Sequence, residues 1–491
     1  MRKFAKALMY GIFCLAGVIA TGIFWPAANA PLPSRENDHV ITNVHVIDVV
    51  SGKTSPLQSV KIIDGVIAAI SKNILSPNDR VIDGQGGYLI PGLWDMHSHS
   101  FQLSPQLHFP LQLANGVTGV RDMMGCPEST DTLVACDADK RRWNKAADQG
   151  NMASPRFIGS ASFLFDDPNM PPVEAALRAK LYARRGADYL KIYDRLTRAT
   201  YARIAQVSRQ TGKPMVGHLP KAVSIEEAIS AGQSSFEHAR LFLQQCYSDD
   251  KSWRKGKFDK IVASTLLHNM VEQHDTADCD QLFALMAEKK VWFVPTHVTR
   301  EEDARASDPA FLNDERLAYA DPLSLWAWRE DASETAKKYP RQADQQALQA
   351  YFVKGLELTG KAHAAGVPIL VGTDTIIGGF KMHDEMALLI RAGLTPAQVL
   401  RAATYDAALY AGKSGSFGSI AVGKRADLIL LRKNPLDDIK NTKSISHVFL
   451  SGHHYYRNQL NQLLTFTKMQ ANHPANWIKL LWGFAFSSVS L

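Results

Sequence analysis

Between residues 92 and 410, short apolar runs alternate with stretches whose apolar positions recur every three or four residues. Eight runs stand out: LWDMHSH, GVTGVRDM, RFIGSA, DYLKIY, PMVGHL, SSFEHA, VWFVPTH and PILVGTD. Each has the length of a buried strand, and segments such as PVEAALRAKLYARRGA and SIEEAISAG between them have helical periodicity. This alternation predicts an α/β chain folded as a distorted (β/α)8 TIM barrel, whose parallel strands are covered on both faces. Residues 240–290 and 300–360 are too long for plain connections, so they are expected to carry helices over the barrel mouth.

The flanking segments have a different texture. In VKIIDGVIAAI, Asp64-Gly65 separates two β-branched runs, and Ser451-Gly452 plays the same part in ISHVFLSGHHYYR. Both are two-residue hairpin signals. Sequence-distant β segments at either end predict a small composite β-sandwich formed by N- and C-terminal segments. The expected organisation is a signal peptide or N-terminal membrane anchor over 1–30, a first β-sandwich part over 38–90, the barrel over 91–412, a second β-sandwich part over 413–460 and an apolar tail over 461–491.

Arg2, Lys3 and Lys6 precede an apolar stretch reaching Trp25, and Ala28-Asn29-Ala30 follows as a small-x-small pattern. This favours a cleaved export signal over a retained anchor, and hence a periplasmic, envelope-associated or secreted protein. The tail NWIKLLWGFAFSSVSL is too short to span a bilayer unaided, so it either docks on the body or touches a membrane surface. Export changes how the cysteines read. With Cys14 in the leader, four remain, and proximity favours Cys126–Cys136 and Cys246–Cys279 among three connectivities. Apolar content of 46% and charged content of 21% are those of a globular chain. The net charge of +7 is scattered, with no basic tract, which argues against nucleic acid as a partner. Membrane contact through either end, and a homo-oligomer, stay open.

Residues at the C-terminal ends of barrel strands converge on one face. The first run ends in His97 and His99, two apart and so on one side of a strand. Lys191 lies in the fourth run, His218 ends the fifth, His238 the sixth and Asp374 the eighth. Imidazole and carboxylate suit a borderline divalent ion such as zinc. A protonated Lys191 would repel such an ion. Burial and a nearby metal favour the neutral amine, which can take up carbon dioxide as a carbamate able to bridge two ions. The alternative is a salt bridge from Lys191 to Asp188 or Asp194. Arg121, Tyr193 and His297 face the same mouth as candidate substrate contacts, while His383 and Glu385 read as capping or packing residues.

The segments LIPGLWDMHSH, GVTGVRDM, GADYLKIY, PMVGHLP with SIEEAISAGQSSFEHA, PILVGTDT and GSIAVGKRADLILLRKNP resemble the amidohydrolase superfamily, in its branch of imidazolonepropionase-related and metal-dependent prolidase-like hydrolases. The resemblance implies a distorted barrel, a composite β-sandwich and a site of two divalent ions, usually zinc. It implies that His97, His99 and Asp374 bind one ion, that His218 and His238 bind the other, and that carbamylated Lys191, formed with CO2, bridges them. It further implies attack by a metal-bridging hydroxide, with Asp374 as general base and then acid. The expected function is hydrolysis of a C–N amide bond in a dipeptide, an N-acyl amino acid or a cyclic amide. The His and Tyr with which dipeptidase members hold a peptide carboxylate are missing from GSASFLFDDPNMPP and GHLPKAV. Two alternatives therefore stand beside it: an esterase, lactonase or phosphotriesterase on the same metals, and a non-catalytic metal-binding envelope protein.

Overall fold

The computed structural model of the chain describes residues 2–34 and 36–489. Among the described residues fourteen strands are formed: β1 (His39–Asp48), β2 (Lys53–Ile63), β3 (Val66–Ser71), β4 (Val81–Pro91), β5 (Leu93–Ser98), β6 (Val117–Asp122), β7 (Arg156–Ser160), β8 (Leu190–Ile192), β9 (Met215–Gly217), β10 (Gln233–Glu237), β11 (Trp292–Val294), β12 (Leu428–Leu431), β13 (Ile445–Leu450) and β14 (His453–Tyr456). Both hairpin signals become turns. Asp64-Gly65 (φ 48° and 70°) joins β2 to β3, and Ser451-Gly452 (φ 52° and 80°) joins β13 to β14. Two consecutive left-handed residues give the turn twist that matches paired strands.

The two β-rich ends form one seven-stranded sheet of order β14-β13-β12-β4-β1-β2-β3. Only β1 and β4 run parallel within it. Register shifts in β1 at Ile41/Val44 and His45/Ile47 bend the sheet. Its edge strand then returns hydrogen bonds to the segment before β12, with Ile67 N 2.8 Å from Lys424 O and Ala426 N 2.9 Å from Gly65 O. The sheet thereby curls around a core of its own that includes Ile41, Val60, Ile67, Leu89, Leu428 and Phe449.

Seven of the eight apolar runs are parallel strands, in the sheets β5-β6-β7 and β11-β10-β9-β8. Parallel bridges Ala161–Tyr189 and Phe165–Ile192 connect the chain after β7 to β8. The eighth run has no regular strand among the described residues, yet it is hydrogen-bonded on both sides. Leu370 N donates to Phe293 O (2.9 Å), Met96 N to Val371 O (2.9 Å) and Asp374 N to His97 O (2.8 Å). Residues 368–374 therefore lie between β11 and β5. The two long connections carry helices, among them Ala263–Glu272, Thr276–Glu288, Pro322–Lys338 and Gln342–Ala364. Both expected disulfides are present, with Cα–Cα separations of 5.1 Å for Cys126–Cys136 and 5.0 Å for Cys246–Cys279.

Candidate active site

Asp95 holds the two halves of the site together. One carboxylate oxygen accepts from the backbone N–H groups of His97 and Thr373 (3.0 Å each), and the other accepts from Thr373 Oγ1 at 2.6 Å. Gly372 lets the strands meet: a Cβ there would lie 2.6 Å from Val294 Cγ1 and 2.9 Å from His97 Cβ. Asp374 is thus carried against the histidines, its Oδ1 3.0 Å from His99 Nε2 and 3.6 Å from His97 Nε2, its Oδ2 3.8 Å from His238 Nε2. His238 Nε2 is in turn 2.9 Å from His218 Nε2. His238, Thr296 and Asp374 all have positive φ (73°, 45° and 49°) without being glycine. Strain of this kind persists where the surroundings over-determine a functional geometry.

Three imidazoles have their second nitrogen fixed from behind. His97 Nδ1 lies 3.1 Å from Glu237 Oε2, His218 Nδ1 3.0 Å from Asp194 Oδ1, and His238 Nδ1 2.8 Å from Thr296 Oγ1. A proton on each Nδ1 leaves the Nε2 lone pairs facing inward, as metal-ligating histidines require. Burial lowers His97 to about 4 and also lowers His218 and His238, so these rings are neutral near pH 7. Burial pushes the Asp374 carboxyl up, but the surrounding imidazoles outweigh it and hold the group well below the usual range.

Lys191 is buried on β8, in register with Val216, two residues before His218. Asp194 is taken by His218 and by Arg240 (2.8 Å), and Asp188 accepts from Ser160 N (3.0 Å). Among the described residues Lys191 Nζ has no ion pair or hydrogen bond. Burial lowers it to about 8. His99 Nδ1 is likewise buried without a partner. Three neutral imidazoles whose Nε2 atoms converge with His99 on an ionised carboxylate, beside a lysine without an ion pair, fit a divalent-metal site, because their lone pairs and negative charge face one another with no cationic side chain paired to them. A second cluster, Cys246, His274 and Cys279, has its sulfurs joined in a disulfide and retains one free ligand group.

Arg121 is completely buried, behind His97 rather than in the mouth. Its NH2 lies 2.9 Å from both Glu237 oxygens, its Nε donates to Met96 O (2.6 Å) and its NH1 to Ser235 Oγ (3.0 Å). The guanidinium is fully engaged and has no donor left for a substrate carboxylate. Burial alone would raise Glu237, but Arg121 and His97 outweigh it and bring the group to about 2. Tyr193 is half-buried with its ring centroid 3.9 Å from that of His218, at the edge of the cluster. His297 is buried with neither ring nitrogen bonded, and its backbone N–H donates to Glu385 (2.9 Å). Glu385 also accepts from Val298 N (2.8 Å), so it caps the helix His297–Ala304, and His383 bonds Thr442 Oγ1 at 2.9 Å. Sequence reasoning missed Glu237, Asp95 and Thr296. Glu237 stands directly before His238 and Asp95 two before His97, which was the available signal.

Among curated proteins, ochratoxinase of Aspergillus niger is 23% identical over 453 residues, covering 86% of this chain and 88% of its own. Bottromycin amidohydrolase superposes with a TM-score of 0.70 at 24% identity, over 89% of this chain and 92% of that one. A Xaa-Pro dipeptidase with bound methionine in its active site gives 0.58 at 19% identity, over 85% and 100%. These structural likenesses establish a shared fold. The sequence profile of the amidohydrolase family matches residues 88–454, three quarters of the length and every candidate ligand, and the chain belongs to that family.

Proposed function

We propose that this protein is an exported metal-dependent hydrolase of amide bonds. Strands β5 to β11, with residues 368–374 as the eighth, act as a distorted (β/α)8 barrel over 91–412, and the curled terminal sheet acts as the composite β-sandwich over 38–90 and 413–460. One observation carries the reading: among the described residues Lys191 is buried without an ion pair, in register with Val216 on the strand that leads to His218, one of four imidazoles clustered with Asp374. Leaving a lone ammonium in such a place is costly. Its neutral amine can add to CO2, forming an N–C bond and releasing a proton, and the resulting carboxylate suits a cation.

His97, His99 and Asp374 would hold one divalent ion and His218 with His238 a second, with carbamylated Lys191 joining the two. When bound, such ions supply Lewis acidity toward the scissile carbonyl and toward water. Asp374, ionised and at the centre of the cluster, takes the proton of the attacking water on a carboxylate oxygen and returns it to the leaving nitrogen. Tyr193, beside His218, is positioned to orient the carbonyl. His297 is enclosed beneath the mouth and would reach substrate only through its ring nitrogens. An amide substrate is favoured over an ester because the Xaa-Pro dipeptidase and bottromycin amidohydrolase are named for amide hydrolysis. Two disulfides behind a basic-then-apolar N-terminal segment support an oxidising compartment.

The test is elemental analysis of the purified chain, followed by assay of the loaded enzyme on dipeptides, N-acyl-prolines, a lactam, a lactone and aryl esters. About two zinc-class ions per chain are expected from the ligand count, together with turnover of at least one amide. Metal-free protein after loading, or turnover of esters alone, overturns the reading.

A further inference from the structure

The N-terminal helix Arg2–Phe24 and the C-terminal helix Pro474–Phe486 pack against each other. Gly22 lies so close to Ile478 that no Cβ would fit. Lys479 Nζ donates to Trp25 O (2.7 Å), and the rings of Trp25 and His473 are 5.9 Å apart. The outer sides of both helices are bare apolar surface: Phe24 is 83% exposed, Leu481 57%, Phe484 43% and Phe486 59%. Single exposed apolar residues are ordinary, whereas so many on one packed pair of helices mark an interaction surface.

Length and charge identify what covers it. The apolar part of the N-terminal helix, Ala7–Phe24, at a rise of about 1.5 Å per residue, reaches roughly 27 Å against the ~30 Å of a bilayer's hydrocarbon core; among the described residues no helix is long and apolar enough to cross a membrane, so this one is suited to entering a bilayer and not to spanning it. The sequence puts Arg2, Lys3 and Lys6 at one end of that helix and Trp25 just past the other, where Gly22 and Trp25 meet Ile478 and Lys479 of the C-terminal helix, which also carries Trp477 and Trp482. Basic residues suit anionic headgroups, and tryptophans suit the membrane–water interface. The small-x-small pattern at Ala28-Asn29-Ala30 favours removal of the helix, but its packing on the C-terminal helix favours retention.

The inner side of the C-terminal helix rests on the catalytic face. Leu480 and Val489 cluster with Met124 and Leu133 from the loop after β6 and with Phe101, two residues past His99. Thr132 Oγ1 donates to Gly483 O (3.1 Å), and the Asp131 carboxylate accepts from Ser487 Oγ (2.9 Å) and Ser488 N (3.0 Å). The Cys126–Cys136 disulfide closes that same loop. Phe101 follows the strand end that carries His97 and His99, and the loop after β6 leaves the neighbouring strand end, where Asp122 is in register with Ser98.

We infer that the two helices form a bilayer-binding platform on the catalytic face. The N-terminal helix enters the hydrocarbon, the C-terminal helix lies in the headgroup layer, and the mouth of the site is held against the membrane. The inference does not depend on the reaction proposed above. The full chain should be reconstituted in phosphatidylcholine–phosphatidylglycerol vesicles whose acyl chains carry bromine, which quenches tryptophan on contact. Emission of the wild type is expected to be quenched, and W477F/W482F to lose part of that quenching, Trp25 remaining at the interface, while keeping its far-UV circular dichroism. Because Phe484 and Phe486 are exposed, F484E/F486E should fold normally and, with every tryptophan still in place, show weaker quenching than the wild type. An unquenched wild type, or quenching equal in all three proteins, overturns the platform. So does a mature chain that begins at Pro31, or one that sediments as a lipid-free dimer burying these tryptophans.

Discussion

Glu237→Ala would separate two roles that one carboxylate plays. The side chain neutralises Arg121, which is completely buried, and accepts from His97 Nδ1 at 3.1 Å. Removing one partner of a buried ion pair leaves the other charge uncompensated, at a cost of about 3–5 kcal/mol. Loss of the acceptor behind a metal-ligating histidine weakens metal binding by about 10–100-fold. The double variant R121M/E237L removes both charges at similar volume, and such replacements are neutral or stabilising by about 1–4 kcal/mol. Urea unfolding of the metal-free proteins should show a large drop for E237A and recovery in the double variant. Chelator competition should show weakened metal binding in both. If the double variant recovers metal affinity along with stability, Glu237 serves only Arg121. If E237A binds metal normally, the carboxylate does not position His97, and the account of the imidazole tautomers fails with it.

Four further outcomes are expected. Lys191→Ala should lose metal and turnover, with activity partly restored by acetate or propionate; tight metal binding without added acid would exclude the carbamate. Asp374→Asn should reduce kcat by about 10²–10⁴-fold with little change in KM, as stopped assays on the amide substrate would show. Cys246→Ser/Cys279→Ser opens a loop spanning a sequence separation of 33, and urea midpoints should register a loss of about 3–4 kcal/mol. Burial lowers His297 to about 3 from an ordinary 6.5. Its folded form therefore resists protonation, and stability is expected to fall as pH drops from 6.5 toward 3. At pH 5 this contribution is about 2 kcal/mol, so His297→Phe should lose less stability than the wild type between pH 7 and 5.

How much was legible in the chain can be judged residue by residue. The runs ending in His97, His218 and His238 were visible because a buried strand and its last position are local properties. The turns at Asp64-Gly65 and Ser451-Gly452 were visible because only a few dipeptides tolerate two left-handed residues. The eighth run was visible as a position, but its backbone is bonded on both sides without regular strand geometry. The disulfide partners followed from proximity along the chain.

By itself the sequence determined which residue types stand at strand ends and the family to which the chain belongs. Tertiary structure alone decided what Arg121 does. Read locally it ends a strand and faces a mouth; in the fold it meets Glu237, 116 residues away, and is closed off behind a histidine. The same holds for the C-terminal helix, whose seat on the loop after β6 joins residues more than 350 apart. Periodicity reports which side of a strand or helix a side chain occupies. It carries no information about which distant element lies opposite, and that pairing sets whether a charge is free for a ligand or already neutralised.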